Sequence, residues 1–167
     1  MADRQKKDSF LALLEGNQDI IHKICSLYRT SEADREDLSQ EIVYQLWKSY
    51  QSFRGDSKFT TWMYRIALNT ALLARRHDRC WRQVRSMDAP RERISDAASD
   101  SERRETIGLL YTAIQRLREF DRALILLHLE QLSYKEIAQI MGISEANVSV
   151  RLVRIRNDLK RLLNRES

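Results

Sequence analysis

The stretch LSYKEIAQIMGISEANVSVRLVRIRNDLKRLL, residues 132–163, decides the fold of one half of this chain. Ser133 and Glu136 have the spacing of a capping box, which satisfies the first free amides of a helix. Gly142 can end that helix in a left-handed conformation, and Ser144 can cap the helix that follows. The sequence therefore predicts a pair of helices joined by a turn of about three residues.

The second helix of this pair has one apolar face and one polar, basic face. The apolar stripe consists of Val148, Leu152, Ile155, Leu159 and Leu162. The outer face carries Asn147, Ser149, Arg151, Arg154 and Arg156. In the major groove, polar side chains of such a helix read base edges, and arginines bind guanine or phosphate. We therefore predict a DNA-binding helix-turn-helix, in preference to a helical hairpin with a solvated basic face.

A second informative segment is FRGDSKFTTWMYRIALNTALLARR, residues 53–76. Aromatic residues crowd the stretch from Tyr50 to Tyr64, and arginines follow it. Exposed rings stack on unpaired bases and guanidinium groups hold phosphates, so this combination suits single-stranded nucleic acid. Part of the aromatic set is expected to be core instead, with Trp47 and Phe53 as the first candidates. The segment indicates a protein that opens or captures a melted strand.

Composition limits the fold to a small helical protein. The chain has 167 residues, of which 43% are hydrophobic and 32% charged, with four glycines and one proline. Hairpins need turn residues, so this composition argues against an all-β fold and favours helices. The formal net charge of +5 is compatible with a polyanionic partner.

The order of apolar patterns along the chain predicts two domains. Helical spacing occurs over residues 8–15, from about Asp19, over 35–50, and after a cap at Thr60 or Thr61, then again over 107–117 and from about Asp121. Between these halves, residues 86–105 hold the single proline and many serines, which is typical of a linker. We therefore predict an all-α chain with two small helical domains, 1–85 and 106–167, joined by a flexible linker, 86–105.

Cysteines and histidines do not form a convincing metal site or disulfide framework. The pairs His22/Cys25 and His77/Cys80 fall in different elements, so we expect no metal, no cofactor and a reducing cytosol. His128 is expected to pack in the core. No signal peptide and no stretch of roughly 18 apolar residues is evident, which predicts a cytoplasmic protein. Nothing resembles a nucleophile with its base, so no enzymatic activity is predicted.

Both halves of the chain resemble the extracytoplasmic-function (ECF) group of bacterial sigma factors, in the sigma-70 family. The sequence DREDLSQEIVYQLWKSYQSF, residues 34–53, looks like the polymerase-binding segment of that family. Residues 53–76 look like its promoter −10 segment, and residues 132–163 are similar to its −35-binding helix-turn-helix. The resemblance implies sigma region 2-like and region 4-like domains in a factor that directs RNA polymerase to promoters and helps to melt them.

The resemblance also implies three sets of site residues. Core RNA polymerase, through its β and β′ subunits, would contact Asp37, Gln40, Glu41, Tyr44 and Lys48. The −10 element, opened to single strands, would contact Phe53, Arg54, Ser57, Lys58, Phe59, Trp62, Arg65, Asn69 and Arg76. The duplex −35 element would contact Ser144, Glu145, Asn147, Ser149, Arg151 and Arg154. An anti-sigma factor is a further implied partner, and no small-molecule substrate is implied.

Two positions depart from the family pattern, and two other functions remain open. Arg118 follows Leu117 where the family often has a Leu-Pro turn, and Gln131 stands where glycine is frequent. A stand-alone repressor or activator would use only residues 133–163 and bind duplex operators without polymerase. A polymerase-binding adaptor would bind polymerase but start no transcripts.

Overall fold

The computed structural model describes the backbone of residues 2–84 and 101–164, and the side chains of residues 4–78 and 106–164. Within these ranges the chain forms eight helices and no strand. It divides into two units, Met1–Arg93 and Ile94–Ser167, which confirms the prediction of two small all-α domains. The predicted linker, 86–105, lies mostly outside the described residues, and a helix begins within it at Ser101.

The helices are numbered in chain order. The N-terminal unit holds α1 (Ala2–Glu15), α2 (Gln18–Tyr28), α3 (Glu32–Tyr50) and α4 (Phe59–Val84). The C-terminal unit holds α5 (Ser101–Gln115), α6 (Glu119–Leu129), α7 (Tyr134–Met141) and α8 (Glu145–Asn164). No helix in the described part of the chain is long and apolar enough to cross a membrane.

The core of the N-terminal unit lies between α2, α3 and α4. Each helix buries apolar residues three or four positions apart, so that one face of each turns inward. The fully buried side chains include Ile24, Ile42, Leu46, Met63, Ala67 and Ala71. This arrangement leaves the opposite face of α3 to solvent.

Some helices of the N-terminal unit begin earlier than the sequence predicts. Helix α1 begins at Ala2, and α3 begins at Glu32 because the Ser31 hydroxyl accepts a hydrogen bond from the amide of Asp34 at 3.1 Å. The predicted cap of α4 at Thr60 or Thr61 is wrong. Thr61 is 5% exposed and belongs to the first turn of α4, whose Trp62 amide donates to the Lys58 carbonyl at 3.1 Å.

Two arginines close the junction between α2 and the rest of the N-terminal unit. Arg29 forms an ion pair with Asp78 of α4. Arg35 donates to the backbone carbonyls of Arg29, at 3.2 Å, and Thr30, at 2.8 Å, which follow the end of α2. Burial raises the pKa of the nearby Cys25 thiol to about 11, although both arginines act to lower it. Cys25 is therefore a protonated core residue at neutral pH.

The core of the C-terminal unit contains a buried arginine that sequence reasoning missed. Arg122 of α6 is 8% exposed. Its Nε donates to the Leu117 carbonyl and its Nη1 to the Gln115 side-chain oxygen, each at 3.1 Å, and Nη2 donates to the Gln115 carbonyl. Carbonyls at the end of a helix have no partner inside that helix, and Arg122 supplies one for α5.

His128 does not pack in the core, so that prediction is wrong. It lies half-buried on α6, with Nε2 2.9 Å from Nη2 of Arg156 on α8. The imidazole therefore has a polar partner at the edge of the core. Arg156 consequently contacts α6, although the sequence placed it on the outer face of α8.

Candidate nucleic-acid interface

The solvent face of α3 brings together the residues predicted to bind polymerase. Asp37, Gln40, Glu41, Tyr44 and Lys48 are all exposed. Their spacing places them along one side of the helix, opposite the fully buried Ile42 and Leu46. The ring of Tyr44, 56% exposed, lies among polar neighbours. An exposed aromatic beside carboxylates is a surface that can bind another protein through both apolar contact and charge.

Six aromatic residues of the N-terminal unit pack on one another and form what we call the ring cluster. Its members are Phe10, Trp47, Tyr50, Phe53, Phe59 and Trp62. Ring centroids are 4.9 Å apart for Phe53 and Trp62, 5.4 Å for Phe59 and Trp62, and 6.2 Å for Tyr50 and Trp62. These distances are typical of favourable aromatic pairs, so the cluster fixes α3, α4 and the loop between them.

The division of the aromatics between core and surface differs from the expectation, because Trp47 and Phe53, the first candidates for the core, are only half-buried. Tyr64 is 4% exposed and belongs to the core. Trp47, Tyr50, Phe53, Phe59 and Trp62 are half-buried, because each ring covers its neighbours. The rings therefore present edges and partial faces to solvent, and their mutual packing holds those edges in place.

Helix α1 contributes to the ring cluster through Phe10, which sequence reasoning did not connect with the site. Phe10 is 2% exposed, and its ring centroid lies 5.2 Å from that of Trp47 and 5.1 Å from that of Tyr50. Lys6, one turn earlier, donates to the Gln51 carbonyl at 3.4 Å. The signal available in the sequence was the pair Phe10 and Leu14 at helical spacing, which fixes a buried face but not its partner.

The loop between α3 and α4 displays polar groups beside the ring cluster. Arg54, Asp56 and Lys58 are exposed, and Ser57 is half-buried. Gly55 has a φ of 78°, a left-handed conformation that glycine adopts without steric cost. The ring centroids of Phe53 and Phe59, at the two ends of the loop, are 6.0 Å apart, so the loop is closed at its base.

A stripe on α4 continues from the ring cluster. Half-buried Trp62 is followed along this stripe by exposed Arg65, Asn69 and Arg76. Their spacing keeps them on one side of the helix, away from buried Met63 and the other core residues. Rings, amide and guanidinium groups in a row provide stacking, hydrogen bonds and phosphate contacts together.

The helix-turn-helix forms as predicted. Ser133 Oγ accepts from the Glu136 amide at 3.2 Å, and Glu136 Oε2 accepts from the Ser133 amide at 3.0 Å, completing the capping box. Gly142 ends α7 with a φ of 67°, and Ser144 Oγ accepts from the Asn147 amide at 3.2 Å to cap α8. These local bonds fix the angle at which α8 leaves the turn.

The outer face of α8 carries the residues predicted to read the −35 element. Ser144, Glu145, Asn147, Ser149, Arg151 and Arg154 are all exposed. Fully buried Val148 and Leu152 hold the opposite face against the C-terminal core. The guanidinium carbon of Arg151 lies 4.9 Å from the ring centroid of Phe120, and Nη1 lies 3.3 Å from a carboxylate oxygen of Asp121. Both partners belong to α6.

Two protein-family models match the chain, one in each half. A family model described as "Sigma-70 region 2" matches residues 13–90, which include the ring cluster except Phe10. A second, described as "Sigma-70, region 4", matches residues 107–159, which include α7 and most of α8.

The curated relatives are sigma factors. The chain is 34% identical to the RNA polymerase sigma-H factor of Pseudomonas aeruginosa over 156 residues, covering 85% of this chain and 81% of the relative. It is 34% identical to the ECF RNA polymerase sigma-E factor of Escherichia coli strain K12 over 148 residues, covering 81% and 78%. The chain therefore belongs to the sigma-70 family of RNA polymerase sigma factors. Within that family it is an ECF sigma factor, which acts in transcription initiation.

Solved structures share the fold. The sigma factor RpoE of Bartonella quintana, in complex with the anti-sigma factor NepR, matches with a TM-score of 0.71, at 21% identity over 95% of this chain and 96% of that one. CnrH, in complex with the cytosolic domain of CnrY, matches with a TM-score of 0.68, at 21% identity over 96% and 91%.

Proposed function

We propose that this ECF sigma factor binds bacterial core RNA polymerase, directs it to promoters with −35 and −10 elements, and helps to separate the strands at the −10 element. It acts in the cytoplasm and catalyses no reaction itself. Residues 1–85 bind polymerase and melt DNA, residues 86–105 are a linker, and residues 106–167 bind the −35 element. One observation carries the proposal: a single chain has an aromatic-basic surface and a capped helix-turn-helix, which suit single-stranded and duplex DNA respectively.

The solvent face of α3 is the proposed contact with the β and β′ subunits. Its carboxylates and the exposed Tyr44 supply charge complementarity to a basic partner and an aromatic anchor at the centre of the contact. The Glu41 carboxylate already accepts a hydrogen bond from Gln45 at 2.8 Å, so it is held on the helix surface before the partner arrives. Asp37, Gln40 and Lys48 complete the contact.

Strand opening is assigned to the loop and the α4 stripe beside the ring cluster. Unstacking a base step costs a few kcal/mol, which the protein must recover through contacts with the exposed bases and phosphates. Phe53, Phe59 and Trp62 supply ring edges and faces, and the loop residues Arg54, Ser57 and Lys58 supply polar contacts to a base moved out of the stack. Arg65, Asn69 and Arg76 then hold the strand along α4.

Recognition of the −35 element is assigned to the outer face of α8. The side chains at the start of the helix, from Ser144 to Ser149, reach base edges in the major groove. Arg151 and Arg154, farther along, bind guanine or phosphate. Because the similar solved structure of RpoE contains the anti-sigma factor NepR, we also propose that an anti-sigma protein holds this factor inactive.

The experiment that tests this function measures binding of the fluorescently labelled chain to sigma-free core polymerase, followed by mapping of transcript starts on bacterial genomic fragments. One-to-one binding and new starts that require the chain are the expected results. A folded chain that does not bind polymerase would instead be a stand-alone helix-turn-helix regulator. Binding without new starts would leave the polymerase-binding adaptor.

A further inference from the structure

The start of α6 contacts Arg151, which lies on the proposed −35 surface of α8. Asp121 lies in the first turn of α6 and is 21% exposed, whereas Arg151 of α8 is 45% exposed. Asp121 accepts one hydrogen bond from Nη1 of Arg151 at 3.3 Å, and the Phe120 ring lies under the guanidinium group at 4.9 Å. Two adjacent residues of one helix therefore hold one arginine of another.

We propose that Phe120 and Asp121 are positioning residues that pre-organise Arg151 for the −35 DNA. This inference rests on the proposed assignment of α8 to that element. Neither residue need touch DNA; both act through the guanidinium group.

The geometry leaves the guanidinium group able to bind DNA while it is held. A guanidinium has five N–H donors, and the bond to Asp121 uses one of them. A flat ring on one side leaves the other face and the outer edge open to a base or a phosphate. A long arginine side chain loses rotamer entropy when it binds, and holding it beforehand reduces that loss.

A neighbouring arginine on the same surface provides the comparison. Arg154 is exposed one turn farther along α8, and its side chain makes no hydrogen bond, ion pair or ring contact within the described residues. It lies three positions from Arg151, so both arginines face the same side of the helix. Coupling to Asp121 is therefore expected for Arg151 and not for Arg154.

The direction in which duplex affinity changes when the Asp121 charge is removed distinguishes a positioning role from simple electrostatic repulsion. A carboxylate near DNA repels phosphate, so its removal alone would strengthen binding to every duplex. A positioning role has the opposite consequence, because Asp121→Asn would release Arg151 and weaken binding to the preferred duplex. Asp121 also lies near the positive end of the α6 dipole, so its loss could weaken the helix itself. That structural effect would be the same whether or not Arg151 is present.

The test is a double-mutant cycle on the full chain assembled with core polymerase. A preferred −35 duplex is first enriched from a library of randomised duplexes by the unaltered holoenzyme. Affinity for that duplex is then measured for Asp121→Asn, Arg151→Ala and the double variant. We expect Asp121→Asn to weaken duplex binding about threefold to tenfold when Arg151 is present. In a chain that already carries Arg151→Ala, the same substitution should not weaken binding further. Phe120→Leu follows the same pattern, and Phe120→Tyr, which keeps the ring, binds normally.

Two control variants make the outcome specific. Asp158→Asn removes the same charge from α8, where that carboxylate pairs with Arg161, and should not weaken duplex binding. Arg154→Ala should combine additively with Asp121→Asn. Equal weakening by Asp121→Asn with and without Arg151, or stronger binding in both backgrounds, would overturn the positioning role. Failure of the unaltered holoenzyme to enrich any duplex would instead contradict the proposed function.

Discussion

The ring centroids of Trp62 and Phe53 lie 4.9 Å apart, and this contact joins helix α4 to the loop that precedes it. Phe53 leads into the loop and Trp62 lies in the first turn of the helix that follows it, so the pair closes the loop at its base. The polar residues between them are thereby displayed from a fixed support. The rings proposed to capture the DNA strand are therefore partly buried by contacts with one another.

Phe10 extends that support to α1, which predicts a large effect on stability. Phe10→Ala removes a buried ring that contacts Trp47 and Tyr50. We expect the free energy of unfolding of the N-terminal unit to fall by about 3–5 kcal/mol, measured by denaturant titration of tryptophan fluorescence. Leu11→Ala, at a 40% exposed position on the same helix, is the control and should change it by less than about 0.5 kcal/mol. Similar losses for both variants would contradict the role of Phe10.

Charge reversal on α3 tests the polymerase contact. Glu41→Lys places a cation on the face proposed to meet a basic partner, and we expect the affinity for core polymerase to fall about tenfold or more at low salt. The chain should remain folded, because Glu41 is exposed. The matched control is Glu15→Lys, which makes the same change at an exposed position of α1. If anisotropy shows that Glu41→Lys binds core polymerase as well as the unaltered chain does, this face of α3 is not the polymerase contact.

Gln131 provides a test of backbone strain. Its φ of 60° lies in the left-handed region, where residues other than glycine cost about 1–2 kcal/mol. Gln131→Gly removes that cost but loses about 0.5–1 kcal/mol to the flexibility of the unfolded chain, so we expect a net stabilisation of about 0.5–1 kcal/mol. Thermal unfolding of the C-terminal unit measures it. Gln139→Gly, inside α7, should instead destabilise by about 1 kcal/mol. A lower melting temperature for Gln131→Gly would contradict the assignment of strain.

The elements that sequence predicts well are those set by local chemistry. The capping box at Ser133 and Glu136, the turn at Gly142 and the cap at Ser144 depend on bonds between near neighbours, and all are present. The polar face of α3 is likewise fixed by helical spacing, since the burial of Ile42 and Leu46 determines which side remains exposed. Gln131 stands where the family often has glycine, and this departure is visible in the sequence. The positive φ of Gln131 explains why glycine is favoured at this position.

The elements that sequence missed depend on contacts between distant residues. Aromatic composition predicted the location of the ring cluster but not that Tyr64 is core or that Phe10 joins it. An arginine in an amphipathic helix reads as a solvated side chain, so neither the burial of Arg122 nor the contact of Arg156 with His128 was predicted. The cap of α4 was misplaced because Thr61 has the chemistry of a cap but lies inside the first turn.

The most direct test of strand capture measures promoter opening by the reconstituted holoenzyme, using a fluorescent base analogue in the −10 element of a mapped promoter. Trp62→Ala is compared with the unaltered chain and with Trp62→Phe, which keeps an aromatic ring, after thermal unfolding has verified that both variants fold. We predict that Trp62→Ala slows opening about tenfold or more, while promoter binding before opening changes less than about twofold, since stacking on a base contributes about 1–3 kcal/mol. Equal loss of binding and opening, or normal opening by Trp62→Ala, would contradict strand capture by this surface.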